Sequence, residues 1–107
     1  MKQLFVILSV FLLLSCASGS GFKNGSVVEV SEKCICAYSE SSYSEMSKLC
    51  NRHDEVGLEQ MEAKGQISIL SYGTLGTVVK MSFGKTKIRL DNGSEVWIAN
   101  EFLHTHN

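Results

Sequence analysis

From residue 26 the chain alternates apolar and polar positions, changes to a spacing of three and four, and then returns to alternation. "SVVEV" and "CICAY" combine β-branched residues with alternation, which predicts one strand, or two with a break at Ser31-Glu32. Over residues 42–64, Met46, Leu49, Cys50 and His53 fall on one face of a helix. Ser42 or Ser44 is suited to cap that helical insertion, Gly57 to break or bend it, and Gly65 to end it. After Gly65, "QISILSY", "GTLGTVVKMSF", "TKIRL" and "SEVWIA" read as strands. Asp91-Asn92-Gly93, set between two alternating runs, predicts a hairpin. Within it Thr86, Ile88 and Leu90 share one face, and Lys85, Lys87 and Arg89 share the other. The pattern predicts a mainly β protein with one helical insertion.

The first residues follow another rule. Lys2 precedes an apolar run from Leu4 to Leu14, too short for a membrane-crossing helix of about 20 residues. A charged start and a short apolar core read as a signal peptide, residues 1–15. Leu13-Leu14-Ser15-Cys16 resembles the bacterial lipobox. The resemblance implies cleavage before Cys16 and acylation of its thiol and new amine by palmitate-like chains. Each buried methylene contributes about 0.8 kcal/mol, so two or three chains anchor a protein nearly permanently. Ala17, where aspartate would act as a retention signal, implies the outer membrane, with the protein facing the periplasm. Residues 16–26, rich in Gly and Ser, read as a flexible tether, and residues 27–107 as one domain.

The whole chain has 107 residues and a formal charge of −1, which becomes −2 once Lys2 is removed. That balance argues against nucleic acid as a partner. A domain of this size buries roughly 60–65% of its unfolded surface and gains from a covalent staple. Charge is segregated: Glu40, Glu45, Asp54, Glu55, Glu59 and Glu62 dominate residues 40–62, while Lys80, Lys85, Lys87 and Arg89 lie in an acid-free stretch. A basic strand face deters edge pairing or docks phosphates or the acidic residues of a partner.

No catalytic set emerges. His53, His104 and His106 are the only histidines, and phosphate loops, nucleophile elbows and convincing carboxylate pairs are absent. The expectation is therefore a non-enzyme without a cofactor. Cys34, Cys36, Cys50 and His53 form a legitimate Cys3His zinc set, but the Cys-x-Cys spacing is tight. An oxidising envelope favours a disulfide. Two cysteines one residue apart on a strand do not easily bridge each other, which leaves Cys36–Cys50 or Cys34–Cys50. Closing about 15 residues contributes roughly 3 kcal/mol in the chain-entropy model.

The run "GTVVKMSFGKTKIRLDNGSEVWIANEFL" is similar to bacterial SH3-like domains. Leu90, Gly93, Trp97, Ile98, Phe102 and Leu103 occupy the places of that family's hairpin, its x-Trp-Val/Ile strand and its closing turn. "AYSESSY" is a looser echo of the first strand and its long loop. The resemblance implies a small SH3-like barrel, here disulfide-stapled. The chain departs from it in lacking proline and in carrying the insertion at 42–64, which puts proline-rich ligands in doubt. Trp97, Phe83 and Phe102 read as core or half-buried packing. An exposed Trp97 beside Lys85, Lys87 and Arg89 would instead be a partner-binding anchor. Size, lipobox and a cysteine-bearing β domain also resemble the superinfection-exclusion lipoproteins of tailed phages, which block an outer-membrane receptor from the periplasmic side. The SH3-like resemblance implies peptidoglycan binding as the alternative.

Overall fold

The computed structural model describes residues 22–106. The expected signal peptide, Cys16 and the expected tether up to residue 21 lie outside them. Seven antiparallel strands form one sheet: β1 (Val27–Val30), β2 (Cys34–Ala37), β3 (Ile67–Leu70), β4 (Leu75–Ser82), β5 (Lys85–Arg89), β6 (Glu95–Ala99) and β7 (Leu103–Thr105). Two helices, α1 (Glu40–Asn51) and α2 (Glu55–Ala63), lie between β2 and β3, and a 3-10 turn, Asn100–Phe102, precedes β7. The strand order is β3-β2-β6-β5-β4-β1-β7. The fold is mainly β with a helical insertion, as the pattern predicts. The sheet does not close, however: β3 and β7 remain edges.

The alternation of the strands builds the principal core. Val28, Val30, Val78, Ile88, Val96 and Ile98 are buried together, with Cys34, Cys36, Leu70 and Leu103 completing the cluster. Burying one such aliphatic side chain contributes about 1.5–3 kcal/mol. Thr86 is fully buried among them, and its hydroxyl donates to Asn100 Oδ1 at 2.6 Å, so no polar group is left unpaired there. Gly76 is the tightest point of this core: a Cβ on it would stand 2.7 Å from Ile88 Cδ1. The predicted hairpin at Asp91-Asn92-Gly93 forms, and so does one between β4 and β5, with Gly93 and Gly84 in the left-handed region at φ 89 and 75.

The other face of β2 and β3 carries the helices. Ala37 and Ile67 pack with Met46 and Leu49 of α1 and Met61 of α2, and Ile35, Tyr43 and Leu58 adjoin them. The helix caps differ from the expected ones. Ser39, not Ser42 or Ser44, caps α1 by accepting from Ser42 N–H at 3.1 Å. The segment breaks at His53, whose φ is 56, rather than at Gly57. Gly57 lies in the first turn of α2, where its N–H donates to Asp54 Oδ1 at 2.9 Å. A Cβ there would stand 3.0 Å from Leu49 Cδ2, so glycine is what permits the close helix contact. "AYSESSY" is the end of β2 and the start of α1, not a first strand.

Candidate functional site

The basic stripe is where the alternation places it, but its charges are satisfied within the chain. Lys87 Nζ lies 3.2 Å from Glu95, Arg89 pairs with the same carboxylate at 3.2 Å, and Lys85 reaches Glu40 of α1 at 3.3 Å. Lys87 and Arg89 hold the Glu95 carboxyl below its usual range. Trp97 is only 4% exposed. It lies directly across from Lys87 on β5 and Ala37 on β2, and Lys85 and Lys87 sit over its ring at 5.5 and 6.0 Å. Lys85 stands equally close to the Tyr43 ring, so one ammonium bridges the sheet and α1. Trp97 is thus packed under lysines and offers no exposed anchor. Phe102 is half-buried, as expected. Phe83 is 98% exposed, because it occupies the tip of the β4–β5 turn beyond the reach of either core.

Cys34, Cys36 and Cys50 are all free. The expected staple, Cys36–Cys50 or Cys34–Cys50, is not formed, and parity gives the reason. Cys34 and Cys36 turn into the principal core, whereas Ile35 and Ala37 meet the helix that carries Cys50. Burial pushes both core thiols up to about 11, with Glu32 adding to Cys34 and Cys34 adding to Cys36. Cys50 is exposed. The same division keeps Cys34, Cys36, Cys50 and His53 from converging, and no group of three such side chains among the described residues is placed to hold a metal ion. His104 and His106 instead face Glu29 across the β1–β7 ladder at 3.2 and 3.5 Å. Hydrogen bonding from His104, then from His106, holds the Glu29 carboxyl below its usual range.

An open apolar groove lies between α1 and the sheet. It has a volume of about 510 Å3 and is lined by Ile35, Ile69, Tyr43, Met46 and Phe102, with Cys34 from the strand and Cys50 from the helix also on its surface. The helices cover Ala37 and Ile67, leave Ile35 only partly buried and leave Ile69, on the same face, open; Ile69 is 46% exposed. Burial and Glu101 raise the Tyr43 hydroxyl above its ordinary value, so this wall stays neutral. The groove escapes prediction because it depends on β2 joining β6, a pairing distant in sequence. "QISIL" lacks the polar residue that would be expected on an exposed face at Ile69, and that is the one local signal of it. No helix among the described residues is long and apolar enough to cross a membrane. Comparison with protein-family models, curated proteins and solved structures finds no match.

Proposed function

We propose that the chain is a non-enzymatic binding module, held by lipid on Cys16 at the periplasmic face of the outer membrane, which docks on an envelope protein and blocks or regulates it. The observation that carries docking is the apolar groove at Ile35 and Ile69, since an open apolar surface flanked by polar residues marks an interaction site. The finer fold reading is an SH3-like frame. It is supported by the β4-β5-β6 meander, the Trp97 strand and the 3-10 turn that ends in Phe102-Leu103. The lipobox-like Leu13-Leu14-Ser15-Cys16 supports the anchor. Its likeness to superinfection-exclusion lipoproteins makes a phage receptor the first envelope protein to test.

The test compares cells expressing wild type, Cys16→Ala, Ile69→Asp and Lys87→Glu/Arg89→Glu in phage adsorption and receptor activity. Sedimentation with isolated sacculi and fatty-acid labelling run beside it. Wild type protects and takes up label, Cys16→Ala does neither, and Ile69→Asp is labelled but does not protect. Loss of protection in the charge-reversed variant, with Ile69→Asp unaffected, would move docking to the basic stripe. Sacculus binding without protection would overturn receptor docking in favour of a peptidoglycan-binding module.

A further inference from the structure

The edge strand β3 presents open backbone groups next to the exposed apolar surface. Tyr38 N–H donates to the Gln66 carbonyl at 3.1 Å, and the β2–β3 register continues with Cys36 opposite Ser68 and Cys34 opposite Leu70. Antiparallel ladders alternate bonded and non-bonded pairs. The N–H and C=O of Ile67 and Ile69 therefore point away from β2, and among the described residues no strand lies beyond them.

Side chains supply the selectivity. Ile35 and Ile69 line both the larger groove and a smaller one of about 250 Å3 against α2. Glu55, Glu59 and Glu62 stand on that side, four and three residues apart along the helix, and all three are exposed. Among the described residues none of them makes an ion pair. An apolar seat with unneutralised carboxylates on its wall is complementary to apolar side chains flanked by positive charge.

We infer that β3 receives an extended segment of the partner in which an apolar residue is flanked, two positions away on either side, by lysine or arginine. This rests on the docking reading above. Strand addition satisfies the outward amides of Ile67 and Ile69. Its period of two puts the apolar residue and both basic neighbours on the helix-facing side. The apolar side chain seats beside Ile69, and the basic ones meet the α2 carboxylates. A second copy of this chain fits poorly: "QISIL" offers no basic residue, and edge-to-edge pairing would bring both sets of carboxylates together.

The test uses the full mature chain in detergent and fluorescence anisotropy with three short peptides, Lys-Thr-Val-Thr-Lys, Glu-Thr-Val-Thr-Glu and Lys-Thr-Ser-Thr-Lys (Lys–Val, Glu–Val and Lys–Ser), whose first, third and fifth side chains share one face of a strand. The Lys–Val peptide binds, more weakly as salt rises, and each of the others binds at least roughly tenfold more weakly. Ile69→Pro removes an outward N–H without touching the β2 ladder, a position where an edge strand tolerates proline. It reduces Lys–Val binding by a similar factor. Glu55→Gln/Glu59→Gln/Glu62→Gln, confined to exposed side chains, weakens binding and flattens its salt dependence. Equal binding of the Lys–Val and Glu–Val peptides, or no effect of Ile69→Pro, overturns the inference. So does a concentration-dependent dimer that Ile69→Pro dissolves while no peptide binds. Failure of the peptide arms with cellular protection intact sinks strand addition alone; peptide binding without protection sinks the receptor reading alone.

Discussion

Gly76 has a job that no side chain can do. It sits in β4 opposite Val28, and an added Cβ would stand 2.7 Å from Ile88 Cδ1, 3.1 Å from its Cβ and 3.2 Å from its Cγ1. Ile88 is fully buried, so it has little room to yield. Overpacking of this kind costs about 1–3 kcal/mol. Alanine returns about 0.5–1 kcal/mol by narrowing the unfolded ensemble, so Gly76→Ala is expected to destabilise by about 1–2 kcal/mol. Ile88→Val deletes the Cδ1 atom that makes the shortest contact and alone costs about 0.5–1.5 kcal/mol. The two substitutions act on one contact. The double variant should therefore be about 1 kcal/mol more stable than the sum of the single effects, a coupling within the usual range for touching residues. Rescue stays partial, because valine keeps the atoms at 3.1 and 3.2 Å. Urea unfolding at equilibrium measures all four proteins. Additive effects, or a neutral Gly76→Ala, would refute the packing argument.

Two further outcomes are expected. Alkylation of the folded chain near about pH 8 should modify Cys50 promptly and leave Cys34 and Cys36 protected until unfolding, because their thiols are buried and titrate at about 11; mass spectrometry reads the order, and prompt modification of either core thiol would contradict the parity assignment. The Glu29 carboxyl titrates below its ordinary 4.5 in the folded state, so its stabilising contribution is complete above that value and is lost as pH falls through the lower folded one; Glu29→Gln should flatten the fall in melting temperature between about pH 6 and pH 3, and an unchanged acid limb would refute the role of the His104–Glu29–His106 contact.

Much of the frame is legible locally. Alternation in "TKIRL" separates Thr86 and Ile88 from the lysines, and Asp91-Asn92-Gly93 fixes the hairpin, because both signals act over a few residues. The helix start is less legible: the serine-rich stretch from Ser39 to Ser44 offers several caps of similar quality, and Ser39 is the one that caps α1. The cysteine parity is readable, but which face of β2 meets α1 is not, and the staple depended on that choice. Val96-Trp97-Ile98 carries a signal that was available: a run without alternation belongs to a strand covered on both faces, which places Trp97 inside rather than on display. Pairing of Lys87 and Arg89 with Glu95 across their own hairpin was readable locally, whereas Lys85 with Glu40 and the open β3 edge, which follows from β2 joining β6, come from contacts distant in sequence.

The insertion between β1 and β4 also bears on how such a chain can change over generations. Residues 31–74 separate Val30 from Leu75, although Gly73 N–H still bonds back to the Val30 carbonyl at 2.9 Å, so the excursion leaves and returns at one place. Closing a flexible loop costs only about 0.6 kcal/mol more for each doubling of its length. Against an ordinary connection of about five residues the excursion is roughly three doublings, or about 2 kcal/mol of closure entropy, which its own helical core can offset. The β6-β5-β4-β1-β7 pairings do not involve the excursion, which joins the sheet only where β2 meets β6. Variation can therefore rewrite the helices, the groove and the β3 edge while the other strands stay in register.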